Sequence, residues 1–272
     1  ADDIEISPVK RIPLDTGKTK DKPILFALNG YVYIVQSLDV FKIDNINLVL
    51  NRVGSFSRIG INEYVSFVRV AQAEENTIIF VRTQIGNTYV YSFTDTSISF
   101  LHALYLPYFK DCKFFIQDTD LYLAVINNQG DNLSDIIIFK WLGTHLDEMS
   151  RKNIRSAIEI HTFPTTKGTE VLIVLHKSTK MVTHIEVYEF YNNDLKKLQY
   201  IPINKNCTHL KIFDRDSQHY LVIYDTSGNN SVYFWEVSHL KTTFNFTTAG
   251  DNTYSEILKI NNQITMISPQ QV

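Results

Sequence analysis

The feature that most constrains this chain is a repeat. The tetrapeptide Val40-Phe41-Lys42-Ile43 returns as Val90-Tyr91-Ser92-Phe93, Ile138-Phe139-Lys140-Trp141, Val187-Tyr188-Glu189-Phe190 and Val232-Tyr233-Phe234-Trp235. Each copy reads β-branched, aromatic, any residue, large apolar. The aromatic anchors at 41, 91, 139, 188 and 233 stand 50, 48, 49 and 45 residues apart. A period of this size marks units that cannot bury their own apolar surface and must stack on their neighbours.

Within each period the apolar pattern divides into four strand-sized pieces. A strongly apolar run precedes every tetrapeptide, for example Leu121-Tyr122-Leu123-Ala124-Val125 and Glu170-Val171-Leu172-Ile173-Val174. Before it lies another candidate strand (24–28, 64–70, 112–117, 157–163 and 208–213), and after the tetrapeptide a more polar one alternates (97–103 and 195–203 among them). No convincing helical periodicity falls between them. Four strands per repeat is the pattern of β-propeller blades, so the expected fold is all-β, one propeller domain over 1–272. The last repeat ends after two strands, at Ile267, and Val9–Leu14 is patterned like an outer strand. Joining them gives six four-stranded blades, one of them a composite of the two ends. A five-bladed ring with an irregular tail is the alternative.

Composition narrows the function. There are 34 aromatics among 272 residues but only 10 glycines, 7 prolines and 2 cysteines, so the core is ample and disulfide-stapled miniatures are excluded. The 21 asparagines are expected to take the turns that glycine would otherwise serve. A net charge of −3 argues against nucleic acid as partner. No apolar run approaches the roughly 18 residues of a membrane span. The start Ala1-Asp2-Asp3 and the sequons at Asn132, Asn206, Asn229 and Asn245 lead to the expectation of a secreted glycoprotein from which a signal peptide has been removed.

With these repeats in view, the chain resembles secreted propellers built from epilepsy-associated (EPTP) repeats. The resemblance is carried by Tyr122-Leu123-Ala124-Val125-Ile126-Asn127 with Ile138-Phe139-Lys140-Trp141, and by Tyr220-Leu221-Val222-Ile223 with Val232-Tyr233-Phe234-Trp235. The other repeats keep the apolar pattern and lack the tryptophan. The resemblance implies a propeller that binds other extracellular proteins and catalyses nothing.

Motifs of chemistry are sparse. Gly17-Lys18-Thr19 lacks the glycine five residues earlier that a phosphate-cradling loop needs, and Ile12 stands there. Asp118-Thr119-Asp120 and Asp214-Arg215-Asp216 read as ordinary turns rather than Ca²⁺ loops. The eight histidines show no zinc spacing, so no metal site and no cofactor are expected. His161 and His209 lie on innermost strands and are candidates for the central channel. Cys112 and Cys207 head innermost strands of non-adjacent repeats, where a disulfide and two free thiols are both open. The aromatics out of phase with the repeat are the better binding candidates: Phe56 with Arg58, and Tyr105, Tyr108 and Phe109.

Three function classes follow. The favoured one is a non-catalytic extracellular protein whose loops and channel mouth recognise a protein partner. The others are a small-molecule carrier or glycan-binding lectin, and a Ca²⁺-dependent propeller hydrolase. The last has only Glu159, Asp214 and Glu256 to offer as inner-strand carboxylates.

Overall fold

A computed structural model of the chain describes residues 22–247, except 45, 48, 74, 75, 131 and 132, together with the backbone of 256–260 and 263–267. Val9–Leu14, Gly17-Lys18-Thr19, Asn132 and the Glu256 side chain lie outside the described residues. Every described element is a strand.

The strands form five four-stranded antiparallel sheets, each a simple meander. Blade 1 holds β1 (Ile24–Leu28), β2 (Tyr31–Gln36), β3 (Asp39–Ile43) and β4 (Leu50–Ser55). Blade 2 holds β5 (Val65–Ala73), β6 (Asn76–Thr83), β7 (Thr88–Thr94) and β8 (Ser97–Leu104). Blade 3 holds β9 (Phe109–Gln117), β10 (Asp120–Asn128), β11 (Ser134–Trp141) and β12 (Leu146–Ile154). Blade 4 holds β13 (Ala157–Pro164), β14 (Glu170–His176), β15 (His184–Tyr191) and β16 (Asp194–Pro202). Blade 5 holds β17 (Cys207–Arg215), β18 (Gln218–Asp225), β19 (Asn229–Glu236) and β20 (His239–Thr247). A two-stranded sheet, β21 (Glu256–Ile260) with β22 (Gln263–Ile267), follows and touches β1.

The propeller is thus five-bladed, and the six-bladed count is corrected. Only β21 and β22 make up the sixth sheet among the described residues, and no further strand pairs with them there.

The repeat becomes a blade because its second strand is buried on both faces. Along β10, Leu121, Leu123 and Val125 pack toward blade 2, while Tyr122, Ala124 and Ile126 pack toward blade 4. The period-2 alternation of a strand sends neighbours to opposite faces, so a strand clamped between two blades must be apolar throughout. The in-phase aromatics Tyr91 and Tyr188 are fully buried in the seams between blades. The tips of the hairpins use few glycines. Asn29-Gly30, Asp118-Thr119, Asn192-Asn193 and Asp216-Ser217 all adopt left-handed φ at both residues. Such two-residue turns match the twist of the flanking strands, and Asn and Asp tolerate the conformation.

First strands contact one another in the order β1, β5, β9, β13, β17, so they are the innermost and their outer edges border the axis. An innermost strand has no partner on that side. Its free N–H and C=O groups therefore need other bonds.

Candidate functional site: basic residues around the axis

The register of the blades places five residues at one equivalent position on the innermost strands. In blade 3 the in-phase aromatic Phe139 faces Leu123, and Lys113 faces the next residue, Ala124. The same rule selects Arg69 opposite Phe80, His161 opposite Ile173 and Lys211 opposite Val222. In blade 1 it selects Ile24, opposite Val35. Four consecutive blades thus present arginine, lysine, histidine and lysine at one level of the axis.

Two residues earlier on the same face stand Phe67, Asp111, Glu159 and His209, and two residues later Ala71, Phe115, Phe163 and Phe213. In blades 3, 4 and 5 this reads polar, basic, phenylalanine at alternate positions. Phe115 and Phe163 anchor their strands in the apolar seams, and Phe213 packs beside Tyr220 in blade 5.

The carboxylates tie neighbouring blades together. Asp111, 5% exposed, accepts hydrogen bonds from the Ile160 N–H at 2.9 Å and from Arg69 Nη2 at 2.9 Å. Arg69 also donates through Nε to the Cys112 carbonyl at 3.0 Å. Glu159 repeats the device one blade on, accepting from the Leu210 N–H at 2.9 Å and from His161 Nε2 at 2.5 Å. Asp111 and Glu159 thus satisfy the free edge of the following blade.

Three cations, Arg69, Lys113 and Lys211, face these two carboxylates in a poorly solvated space. Burial, and then the positive charge of Arg69, pull the Lys113 ammonium down to about 8, despite the opposing effect of Asp111. Burial first, and the Lys113 charge second, hold His161 well below its ordinary value, so it is neutral at pH 7. Burial raises Glu159 above the usual carboxylate range, with the Leu210 N–H acting against it. The level gathers three cations around two carboxylates, and Lys113 gives up its proton more easily than an ordinary lysine.

The other expected residues are distributed differently. His209 lies in the level of the carboxylates, stacked on Tyr224 at 4.5 Å with Nδ1 against the Thr208 hydroxyl at 2.8 Å. Phe56 and Phe109 are buried and belong to the seams: Phe56 packs on Tyr91, and Phe109 on Phe67 and Phe80. Arg58 is exposed, with left-handed φ, and lays its guanidinium 4.2 Å over the Phe100 ring. Tyr105 and Tyr108 do face solvent, at 89% and 47% exposure, beside the buried Leu106. Asn206, Asn229 and Asn245 are exposed.

Cys112 and Cys207 are both free and buried, so the disulfide alternative is corrected; β13 stands between the strands that carry them. Burial pushes the Cys207 thiol up to about 12 and Cys112 higher still. The carboxylates considered for Ca²⁺ do not converge. Asp214 sits at the far end of β17, bonded to His219 at 2.6 Å, while Glu159 is engaged by Leu210 and His161. A separate cavity of about 550 Å³ lies in blade 5, lined among others by Asp225, Asn229, Asn230, Tyr233 and Asn245.

Sequence reasoning missed Arg69, Asp111, Lys113 and Lys211. The signal was present as Asp111-x-Lys113-x-Phe115, Glu159-x-His161-x-Phe163 and His209-x-Lys211-x-Phe213, repeated at nearly the blade period.

No protein-family profile matches the chain, and no curated protein does. Solved structures share the fold. A putative 6-phosphogluconolactonase from Bacteroides fragilis matches with a TM-score of 0.60 at 12% identity, over 90% of this chain and 72% of that one. The periplasmic gluconolactonase PpgL of Pseudomonas aeruginosa matches at 0.55 and 10% identity, over 88% and 70%. BBS1N, solved in complex with ARL6DN, matches at 0.59 and 8% identity, over 87% and 70%. These likenesses establish the propeller fold. They also overturn the expectation of a protein that is no enzyme: the fold includes chains described as lactonases, and catalysis is compatible with it.

Proposed function

We propose that this propeller binds a small anionic molecule, bearing a carboxylate or phosphate, at the basic level of its axis. One observation carries the proposal. Arg69, Lys113, His161 and Lys211 occupy the same register position on four consecutive innermost strands, so three cations and one imidazole gather at one level beside Asp111 and Glu159. The strain on Lys113, whose ammonium falls to about 8, is what such an anion would relieve. One of the fold neighbours is named for a phosphorylated sugar lactone, a ligand of the same charge class. The Glu159–His161 pair supplies acid–base groups beside it should the ligand be transformed.

The test is thermal unfolding at constant ionic strength with gluconate, glucose 6-phosphate, citrate and phosphate, against neutral glucose. An anion at 100 times its dissociation constant stabilises by about 2.7 kcal/mol. The expected result is stabilisation by at least one anion and none by glucose, and loss of that effect in Lys113→Met. An equal response to glucose and the anions, or an unchanged response in Lys113→Met, refutes the proposal.

A second reading is recognition of an extracellular protein through the loop joining β8 and β9. It is favoured by Tyr105 and Tyr108, large aromatics exposed together on a loop of a rigid scaffold. Export and glycans on Asn206, Asn229 and Asn245 belong to this reading. Retention of a partner from extracellular fluid by the wild type but not by Tyr105→Ser/Tyr108→Ser is its test, and equal retention by both refutes it.

A further inference from the structure

In blade 4, away from the axis, three side chains converge that nothing described so far uses. His176 ends β14 and His184 begins β15, and the two are paired directly across the hairpin. Their rings stack at 4.5 Å and 6°. Glu186, two residues into β15, brings one oxygen to 3.3 Å from His176 Nε2 and the other to 3.8 Å from His184 Nε2. All three ligand atoms lie within 4.8 Å of one another, and the residues are at most 9% exposed.

The hydrogen bonds fix the protons. His176 Nδ1 lies against the Arg155 carbonyl, and His184 Nδ1 lies 2.8 Å from the Val182 carbonyl. A carbonyl can only accept, so both Nδ1 atoms carry hydrogen, and Nε2 is the nitrogen each ring has free to offer a lone pair on the Glu186 side. His176 Nε2 is buried without any hydrogen-bond partner. Two lone pairs beside a carboxylate repel it, and a cation, either a metal ion or a proton on one ring, relieves that repulsion. Histidines oriented by backbone carbonyls through the second nitrogen are how proteins present imidazole to a metal.

We propose that His176, His184 and Glu186 form a binding site for a divalent borderline transition-metal ion, Zn²⁺ being the best fit. Metal–ligand bonds of about 2.0–2.2 Å at tetrahedral angles put ligand atoms roughly 3.3–3.6 Å apart. The His176 Nε2–Oε2 and His184 Nε2–Oε1 separations of 3.3 and 3.8 Å lie near that range, and closing on one ion requires the stacked rings to turn out of parallel. Two imidazoles and one carboxylate exclude Mg²⁺ and Ca²⁺, which take oxygen. Bound there, the ion pins the hairpin loop of residues 177–183 to the body of blade 4.

The other groups around Glu186 set the affinity. Lys197 donates to Oε1 at 2.8 Å, the Tyr188 hydroxyl donates to Oε2, and Tyr200 stacks on His184 at 4.5 Å. Lys197 is half exposed and its charge competes with a metal for the carboxylate. A proton on one imidazole would satisfy the same geometry, and zinc binding distinguishes the two.

The experiment uses the full chain after chelator treatment and dialysis. Zinc affinity is measured by competition with a chromophoric chelator, stoichiometry by elemental mass spectrometry, and coordination by the visible spectrum of the Co²⁺ form. The expected result is one zinc per chain, a tetrahedral Co²⁺ spectrum, affinity lower by about 100-fold in His184→Gln and higher in Lys197→Met. If His184→Gln does not fold by circular dichroism, Lys197→Met decides. Tighter zinc binding there supports the site, and unchanged or weaker binding overturns it. Zinc bound equally by wild type and folded His184→Gln, or no zinc bound by wild type or Lys197→Met, also overturns it.

Discussion

Glu170 offers a stringent test of the energetics of this core. It opens β14, is 2% exposed, and lies between Pro164 on β13 and Phe190 on β15. Burial pushes its carboxyl up to about 8, and the Thr162 hydroxyl, donating to it, offsets only part of that. The folded protein therefore holds a proton on Glu170 at pH 7 that the unfolded chain, with an ordinary value near 4.5, has released. Wherever the folded state binds more protons, stability falls as pH rises. The contribution is absent below about pH 4, grows through the interval between 4.5 and 8, and levels off above 8. At pH 7 it amounts to about 3 kcal/mol of lost stability, approaching roughly 5 kcal/mol above pH 8, at 1.36 kcal/mol per unit. Glu170→Gln is nearly isosteric with the protonated acid and cannot ionise. The variant is expected to exceed the wild type by only about 1 kcal/mol at pH 5 and by several kcal/mol at pH 8. Urea unfolding of both proteins at half-unit steps from pH 5 to 8.5 reads this directly, because pH effects of other groups cancel in the difference. Two parallel curves would show that the carboxyl ionises at no penalty in the fold, and the burial argument would fail.

Two further outcomes follow from the inner strands. Asp111→Ala removes the acceptor of Arg69 and Ile160 together and leaves a partly buried guanidinium without its carboxylate, so unfolding free energy should drop by about 3–5 kcal/mol. A drop under about 1 kcal/mol in a urea titration would mean the blades do not depend on this tie. Cys112 and Cys207, buried and with pKa values far above neutrality, should both be silent toward a disulfide reagent at pH 8 in the native protein and both react in denaturant. Rapid labelling of either thiol without denaturant would contradict the packing of β9 and β17.

Much of this architecture was legible because the core repeats. The aromatic anchors could be counted, and the strands around them follow from alternation and from the fully apolar second strand. The prediction that asparagine and aspartate make the turns is met at Asn29, Asp118, Asn192, Asn193 and Asp216, all with left-handed φ. Blade number was less legible, since a count of strands does not say which ends pair. The loop aromatics show why isolated residues mislead. Phe109 and Tyr108 are neighbours in sequence, and the pleat sends one into the seam under Arg82 and leaves the other half exposed. The His176–His184–Glu186 group was invisible to any linear spacing, because the hairpin pairing, and not the sequence interval, brings the two histidines together.

The basic level of the axis was within reach of the sequence and was missed for a reason that has physical content. Recurrence in phase with the repeat marks the core at positions flanked by neighbouring blades, where a side chain has apolar surface on every side. At the second and third strands that inference is sound, as Tyr91 and Tyr188 show. The innermost strand breaks it, because one edge of that strand faces no other strand. A residue repeated there is not surrounded by apolar neighbours, and a charge repeated there meets its own copies from adjacent blades. Arg69, Lys113 and Lys211 are in phase yet charged, and Asp111 and Glu159, each bonded to the backbone of the next blade, lie against them. In-phase residues should therefore be divided by strand before they are assigned to packing, because a charge in phase on the first strand of a blade is not part of the apolar core.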